Sequence, residues 1–319
     1  MLTSVELCAG AGGQALGLEQ AGFAHTALVE IDKHCCNTLR HNRPDWHVIE
    51  DDVRIFKERA ADYKGMDLLA GGLPCPPFSV AGKQLGEKDE RNLFNDAIDI
   101  IDAARPRAVM IENVRGFLGA VFHDYREKLK TQLDKLGYKT DWRLLNASDF
   151  GVPQLRPRVV IVAIPKDRAD FFDWPEPNPH NPPTVGETLR DLMAAGGWRG
   201  AEEWAAKADE IAPTIVGGSK KHGGPDLGPT RARAAWATLG VEGRTLAPAA
   251  PDAFHTGMPR LTVPMVARIQ GFPDDWHFTG AKTNAYRQVG NAFPPPVAQA
   301  VSAQIAKALR KRVLHAVGA

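Results

Sequence analysis

Short apolar runs alternate with amphipathic stretches through the first half of the chain. Val5 to Ala9, Ala27 to Ile31, Met66 to Ala70, Ala108 to Ile111 and Val159 to Ile164 are rich in valine, isoleucine and leucine and read as strands. Between them the apolar residues take helical spacing. Asn92 to Ala104 puts Leu93, Ala97, Ile98 and Ile101 on one face before Pro106 stops it, and Tyr125 to Leu136 repeats the spacing with Leu129, Leu133 and Leu136 before Gly137. Alternation of this kind predicts an α/β fold, a mostly parallel sheet with helices on both faces.

From Asp170 to Lys282 the texture changes. Prolines crowd Trp174 to Pro183, glycine and basic residues crowd Gly217 to Arg233, and neither period persists. This predicts a smaller, loop-rich second domain of residues 169–283. Beyond it Val297, Val301, Ile305 and Leu309 recur at every fourth residue, one amphipathic helix suited to pack back on a first domain made of residues 1–168 and 284–319.

Composition narrows the classes. With 319 residues the chain suffices for one large domain or two unequal ones, and 44% hydrophobic with 24% charged residues excludes a disordered polymer. No apolar stretch approaches the roughly 20 residues of a spanning helix, and the amino terminus lacks a basic region followed by an apolar one. The expected location is cytoplasmic, with no membrane partner. A net charge of +1 leaves any nucleic-acid surface to be local. Cys8, Cys35, Cys36 and Cys75 form neither a CxxC pair nor a zinc-ligand spacing, which predicts reduced thiols and no metal.

Cys75 is the most informative residue. It stands in Gly71-Gly72-Leu73-Pro74-Cys75-Pro76-Pro77-Phe78-Ser79, where proline fixes its own φ and restrains the residue before it. The preceding strand would deliver the thiol to a carboxyl end, where open α/β sheets bind ligands. A small buried hydrophobe is the other reading of a free cysteine.

Further positions carry chemistry. Ala9-Gly10-Ala11-Gly12-Gly13-Gln14-Ala15 follows the first strand, and such a loop offers backbone N–H groups at a helix amino terminus to an anionic or nucleotide-like ligand. Glu30, about 20 residues on, suits a ribose hydroxyl pair, so the loop alone also satisfies a dinucleotide fingerprint. In Ile111-Glu112-Asn113-Val114 a hydrophobic strand ends in a carboxyl, which poor solvation would equip to donate a proton. Gln154, Arg156 and Arg158 share one face of an extended segment, a fork of donors for carbonyl or phosphate oxygens.

The order of these pieces resembles the DNA cytosine-5 methyltransferases. The residues are Glu6-Leu7-Cys8-Ala9-Gly10-Ala11-Gly12-Gly13, Val29-Glu30-Ile31-Asp32, Asp52-Val53-Arg54, Gly71 through Ser79, Glu112-Asn113-Val114 and Gln154-x-Arg156-x-Arg158. Arg260-Leu261-Thr262, Ile269-Gln270-Gly271-Phe272-Pro273-Asp274 and Gln288-Val289-Gly290-Asn291-Ala292-Phe293-Pro294-Pro295-Pro296 complete the match late in the chain.

The resemblance implies a Rossmann-like methyltransferase domain with a smaller target-recognition domain. It implies methyl transfer from S-adenosylmethionine to carbon 5 of cytosine in a short double-stranded DNA sequence, leaving S-adenosylhomocysteine. It makes Cys75 the nucleophile at carbon 6 of a flipped base, assigns N3 to Glu112 and O2 to Arg156, and puts Arg158 close by. Around the cofactor it places Leu7, Ala9, Gly10, Ala11 and Gly12 on the amino-acid part, Glu30 on the ribose, Ile31, Asp52 and Val53 on the adenine, with Pro74 and Asn291 closing the pocket. Many members carry phenylalanine and then cysteine in the first motif; Leu7 here would pack less well than an aromatic ring.

For DNA, Ser79, Lys83, Gln84 and Arg91 lie in or beside a loop expected to close over the duplex. Lys220, Lys221, Arg231 and Arg233, with Arg244, outnumber Asp226 and Glu242 across a glycine-rich stretch that would read or hold it, and Arg260 joins them. The compact bacterial or phage type further implies a monomer associated with the nucleoid and a cognate restriction endonuclease at the same site. The alternatives are a catalytically silent DNA-binding relative and the tRNA-methylating branch, whose extra cysteine motif has no counterpart after Cys75.

Overall fold

The computed structural model describes residues 1–74, 93–218 and 224–311. Its centre is a seven-stranded sheet of β1 (Leu2–Leu7), β2 (Phe23–Glu30), β3 (Val48–Glu50), β4 (Leu68–Gly72), β5 (Val109–Val114), β6 (Tyr138–Asn146) and β7 (Pro157–Pro165), in the order β3-β2-β1-β4-β5-β7-β6. The first five pair in parallel, and β7 runs antiparallel between β5 and β6. The carboxyl ends of β1, β2, β4 and β5 therefore meet along one edge, where the order reverses between β1 and β4.

Apolar side chains alternate across this sheet and divide the core in two. On one face Val5, Leu7, Leu69, Ile111 and Ile161 pack against α3 (Val53–Phe56), α4 (Phe94–Ala104) and α5 (His123–Lys135). On the other, Leu68, Met110, Val160 and Val162 meet α1 (Gly13–Gln20) and α11 (Pro295–Arg310), through Leu18, Val297, Val301 and Ile305. Each such aliphatic side chain contributes about 1.5–3 kcal/mol on burial. The stop before Pro106 takes the form of Arg105 in the left-handed region, at φ 49.

Three elements have weaker signals than those of the sequence pattern. β3 is three residues long; β6, Tyr138–Asn146, is an edge strand that alternates polar and apolar side chains; and α2 (Lys33–Asn42) buries only Cys36, Thr38 and Leu39. The second region is also more helical than its composition suggests, with α6 (Val185–Ala194), α7 (Ala201–Lys207), α8 (Thr230–Thr238) and α9 (Val263–Ile269). Its core is not separate. Val185, Leu189, Trp204 and Trp236 share one cluster with Ala15, Leu16, Leu28 and Leu39 of the first domain.

Before α10 (Lys282–Asn291), Trp276 donates its indole N–H to the Ala11 carbonyl (3.2 Å), and Arg43 lies over the rings of both Trp46 and Trp276 at 5.7 and 5.3 Å. His277 and Thr279 bond Asn42 and Thr38 of α2. Residues 276–279 thus pack on the first domain.

Contact between α1 and α11 requires a missing side chain. A Cβ on Gly17 would lie 2.5 Å from both the Ala298 Cβ and the Pro295 carbonyl oxygen. Gly17→Ala should cost about 1–3 kcal/mol by overpacking, despite the gain of about 1 kcal/mol that helix propensity alone would give. The urea midpoint should fall at constant m-value; a higher midpoint would show this contact to be loose.

Candidate active site

The strand ends open into a cavity of about 790 Å³. Of the expected cofactor residues, Ala9, Gly10, Ala11, Glu30, Ile31, Asp52, Val53, Pro74 and Asn291 line it, and so does Glu112. Leu7 and Gly12 do not. Leu7, 1% exposed, points into the sheet's core, because the strand ends one residue later where Cys8 turns into the left-handed region at φ 54. Cys8 takes the place on the wall. Gly12, at φ 90, faces Trp276 and Leu39, whose atoms lie 2.7 and 2.8 Å from where a Cβ would stand. Gly10, at φ 55, has nothing within 4 Å of that position, leaving open space above the backbone.

Glu30 is held rigidly. Its two oxygens accept the backbone N–H groups of Gly10 (2.8 Å) and Asp32 (2.7 Å), tying the glycine loop to the end of β2. Burial raises its pKa above the ordinary carboxylate range, and these amides oppose the shift. Asp52 caps α3 through the Arg54 N–H and pairs with the Arg54 guanidinium at 2.6 Å, which lowers its pKa. Ile31 is 65% exposed, a large apolar surface offered to the cavity.

Glu112 lies two residues before the end of β5, beside Gly72 of β4 and diagonal to Arg158 across the antiparallel pair of β5 and β7. The Arg158 Nε meets the Glu112 Oε1 at 2.8 Å, both side chains being largely buried. Burial raises the Glu112 pKa, while Arg158 and then Arg156 pull it down. Desolvation prevails, so the carboxyl holds its proton to higher pH than an ordinary glutamate.

Arg156 does something other than expected. One of its Nη atoms donates to the Ile215 carbonyl (2.7 Å), and the other to the carbonyls of Gly290 (2.8 Å) and Ala292 (3.0 Å). Gln154 extends the same clasp, donating to Gln270 (2.7 Å) and accepting the Ile215 N–H, while Gln270 donates to Ala292. The face shared by Gln154, Arg156 and Arg158 is thus divided. The first two join distant segments, and the third stands at the carboxyl.

Glu6, Gln14, His34 and Arg287 also line the cavity and escaped the sequence reading. For Glu6 a signal existed, a charge in an otherwise apolar strand. For the others, only the fold brings them there.

Comparison with known proteins decides the family. The model of the C-5 cytosine-specific DNA methylases matches residues 2–307. The chain belongs to this family. It is 58% identical to the Type II methyltransferase M.NaeI of Lentzea aerocolonigenes over 97% of this chain and 75% of that protein. It is 55% identical to M.NgoMIV of Neisseria gonorrhoeae over 97% and 98% respectively. In fold it is similar to the S. pombe Dnmt2 methyltransferase, with a TM-score of 0.65 at 17% identity over 98% of this chain and all of that one. The protein is a DNA cytosine-5 methyltransferase.

For this methyltransferase, Cys75, Ser79, Lys83, Gln84, Arg91, Lys220 and Lys221 lie outside the described residues. Arg231 and Arg233 sit on α8, and Arg260 is half exposed, 3.8 Å from Glu242. None of these three arginines is among the residues that line the cavity.

Arg156→Met would leave the Ile215 and Gly290 carbonyls without this donor, while Gln270 still donates to Ala292. Urea unfolding should show a loss of about 3 kcal/mol or more, and an unchanged midpoint would show that the clasp contributes nothing.

Proposed function

We propose that the enzyme methylates carbon 5 of a cytosine flipped out of a short double-stranded DNA sequence, through a covalent bond between Cys75 and carbon 6. The observation that carries this reading is Glu112 in the cavity wall, paired with Arg158 and beside Gly72, in a lining that also holds Pro74, which precedes Cys75 in sequence.

The cavity's residues suit a nucleoside cofactor. Glu30 retains acceptor capacity beyond its two amide bonds, Ile31 offers apolar surface to an aromatic ring, and Gly10 leaves room for close approach. Glu30 would hold the ribose, Ile31 and Val53 the adenine, and Gly10 and Ala11 the amino-acid end. Asp52 would take the adenine amino group, with Asn291 at the mouth. S-adenosylmethionine, when bound, supplies the methyl group.

The protein's own steps concern the base. Extruding it costs a few kcal/mol of unstacking. The Cys75 thiolate adds to carbon 6, and the electron pair displaced from the ring moves toward N3 and O2. Glu112, whose pKa burial raises, donates at N3. Arg158 rather than Arg156 serves O2, since the Nη donors of Arg156 are bonded to three carbonyls. Carbon 5 is then the nucleophile, and loss of its proton with release of the thiol restores the ring.

The Type II designation of the relatives supports a modification enzyme that works beside a restriction endonuclease of the same site. No helix among the described residues is long and apolar enough to cross a membrane. The bacterial relatives support a cytoplasmic, nucleoid-associated enzyme, which we take to act as a monomer.

Cys75→Ser should abolish turnover while leaving cofactor affinity within about twofold; appreciable turnover would sink the assignment. Glu112→Gln should slow methyl transfer by about 10²–10⁴ with DNA binding preserved, and a rate near wild type would refute its role. Replacing Lys220 and Lys221 with alanine should weaken DNA binding and lower the slope of log K against log salt by about 2. An unchanged slope would move the phosphate contacts elsewhere.

A further inference from the structure

One face of α10 forms a side of the cavity. Asn284, Arg287, Gln288 and Asn291, spaced as neighbours on a helix surface, all belong to the lining. Three of them are neutral amides. Arg287, half-buried, brings the one cationic side chain of the lining that has no hydrogen-bond or ion-pair partner among the described residues. Arg54 is tied to Asp52 at 2.6 Å, and His34 shares a hydrogen bond of 3.0 Å with Asn284. Glu6, Glu30, Asp32, Asp51, Asp52 and Glu112 make the rest of the wall acidic, yet Arg287 pairs with none of them.

Packing fixes what lies next to it. Gly217 is pressed against this turn of α10, where a Cβ would lie 2.7 Å from the Arg287 carbonyl oxygen and 2.6 Å from the Asn291 Oδ1. A Cβ on Gly290 would in turn lie 2.5 Å from the Gly217 Cα. Glycine at both positions permits this approach, and Asn291 then donates to the Gly218 carbonyl at 3.3 Å. The chain therefore passes α10 beside Arg287, and its sequence continues as Ser219-Lys220-Lys221-His222.

We propose that Arg287 holds a phosphate next to the target cytidine, on the DNA strand from which that base is extruded. The proposal rests on the reading in which a flipped cytosine reaches Glu112. A flipped nucleotide stays joined to its strand through a phosphate on either side, so when the base enters the cavity these phosphates stop at the rim. There they face a wall rich in carboxyls, which repels a polyanion. An unpaired guanidinium offsets that repulsion and presents its donors as a fork that fits two phosphate oxygens. The single carboxylate of the cofactor would also fit a guanidinium, but the two lysines that follow Gly218 in sequence favour a polyanion.

The test uses the full chain with S-adenosylhomocysteine and synthetic duplexes that carry its methylation site, mapped by bisulfite sequencing of DNA from the expression host. In these duplexes a neutral methylphosphonate replaces one phosphate at a time, either neighbour of the target cytidine or one remote from it. Arg287→Gln should bind the unmodified duplex about tenfold more weakly and lower the slope of log K against log salt by about 1. Arg287→Lys should recover the slope. For wild type, one of the two neighbouring methylphosphonates should cost a similar factor. On that duplex Arg287→Gln should lose nothing further, while on the remotely modified one it should stay as far below wild type as on unmodified DNA. S-adenosylhomocysteine alone should bind the variants as it binds wild type.

An unchanged salt slope in Arg287→Gln, or losses that add at both neighbouring phosphates, would overturn the proposal. So would weakened S-adenosylhomocysteine binding, which would put the guanidinium on the cofactor instead. Should neither variant fold, wild type that tolerates both neighbouring methylphosphonates would overturn it as well. A wild type that methylates no duplex would refute the functional reading itself.

Discussion

A guanidinium buried without a carboxylate must find enough carbonyl acceptors to replace water. Arg156 finds three, and they come from places far apart in the chain: Ile215 in the second region, Gly290 near the end of α10 and Ala292 just before α11. The cavity depends on that meeting. Gly218 and Asn291, which face each other across its mouth and share a hydrogen bond of 3.3 Å, are each within a few residues of an Arg156 acceptor. With Gln154 and Gln270 completing the network, the lead-in to β7 anchors the mouth to the sheet.

That use of one arginine frees another. Two cations two residues apart on an extended segment face the same way, yet their surroundings differ. Arg156 is shut in by carbonyls, whereas Arg158 faces a carboxyl that burial would otherwise keep neutral. At Glu112 desolvation and the Arg158 cation act in opposite directions, and desolvation prevails, raising the carboxyl's pKa. A raised pKa suits a group that hands a proton or a hydrogen bond to a ring and takes it back.

Much of this was legible before folding, because the relevant signals are local. The strands of the first half carry uninterrupted aliphatic runs, as parallel strands buried on both faces do, and helix α11 shows its stripe at a fixed spacing. The glycine loop, Glu30 and Glu112 follow directly from strand ends. What escaped depends on partners distant in sequence. Period two places Gln154, Arg156 and Arg158 on one face but cannot say which meets Ile215 and which meets Glu112. Leu7 and Cys8 could exchange roles because the strand's last residue is decided by a single left-handed φ. β6 went unseen because an edge strand with a solvated face is half polar, and the second region hid its helices because they are short and their apolar residues join one cluster with one another and with α1 and α2.

The packing of α11 on α1 has a consequence for synthesis. Residues 13–20 and 295–310 are wedged together at Gly17, so the glycine loop that opens the sequence rests on a helix made almost three hundred residues later. While the ribosome is still adding the second region, the first-made strands have one face covered by α4 and α5 and the other covered only by α1. The nascent chain cannot complete its cavity, and hence cannot modify DNA, until that final helix has emerged and docked.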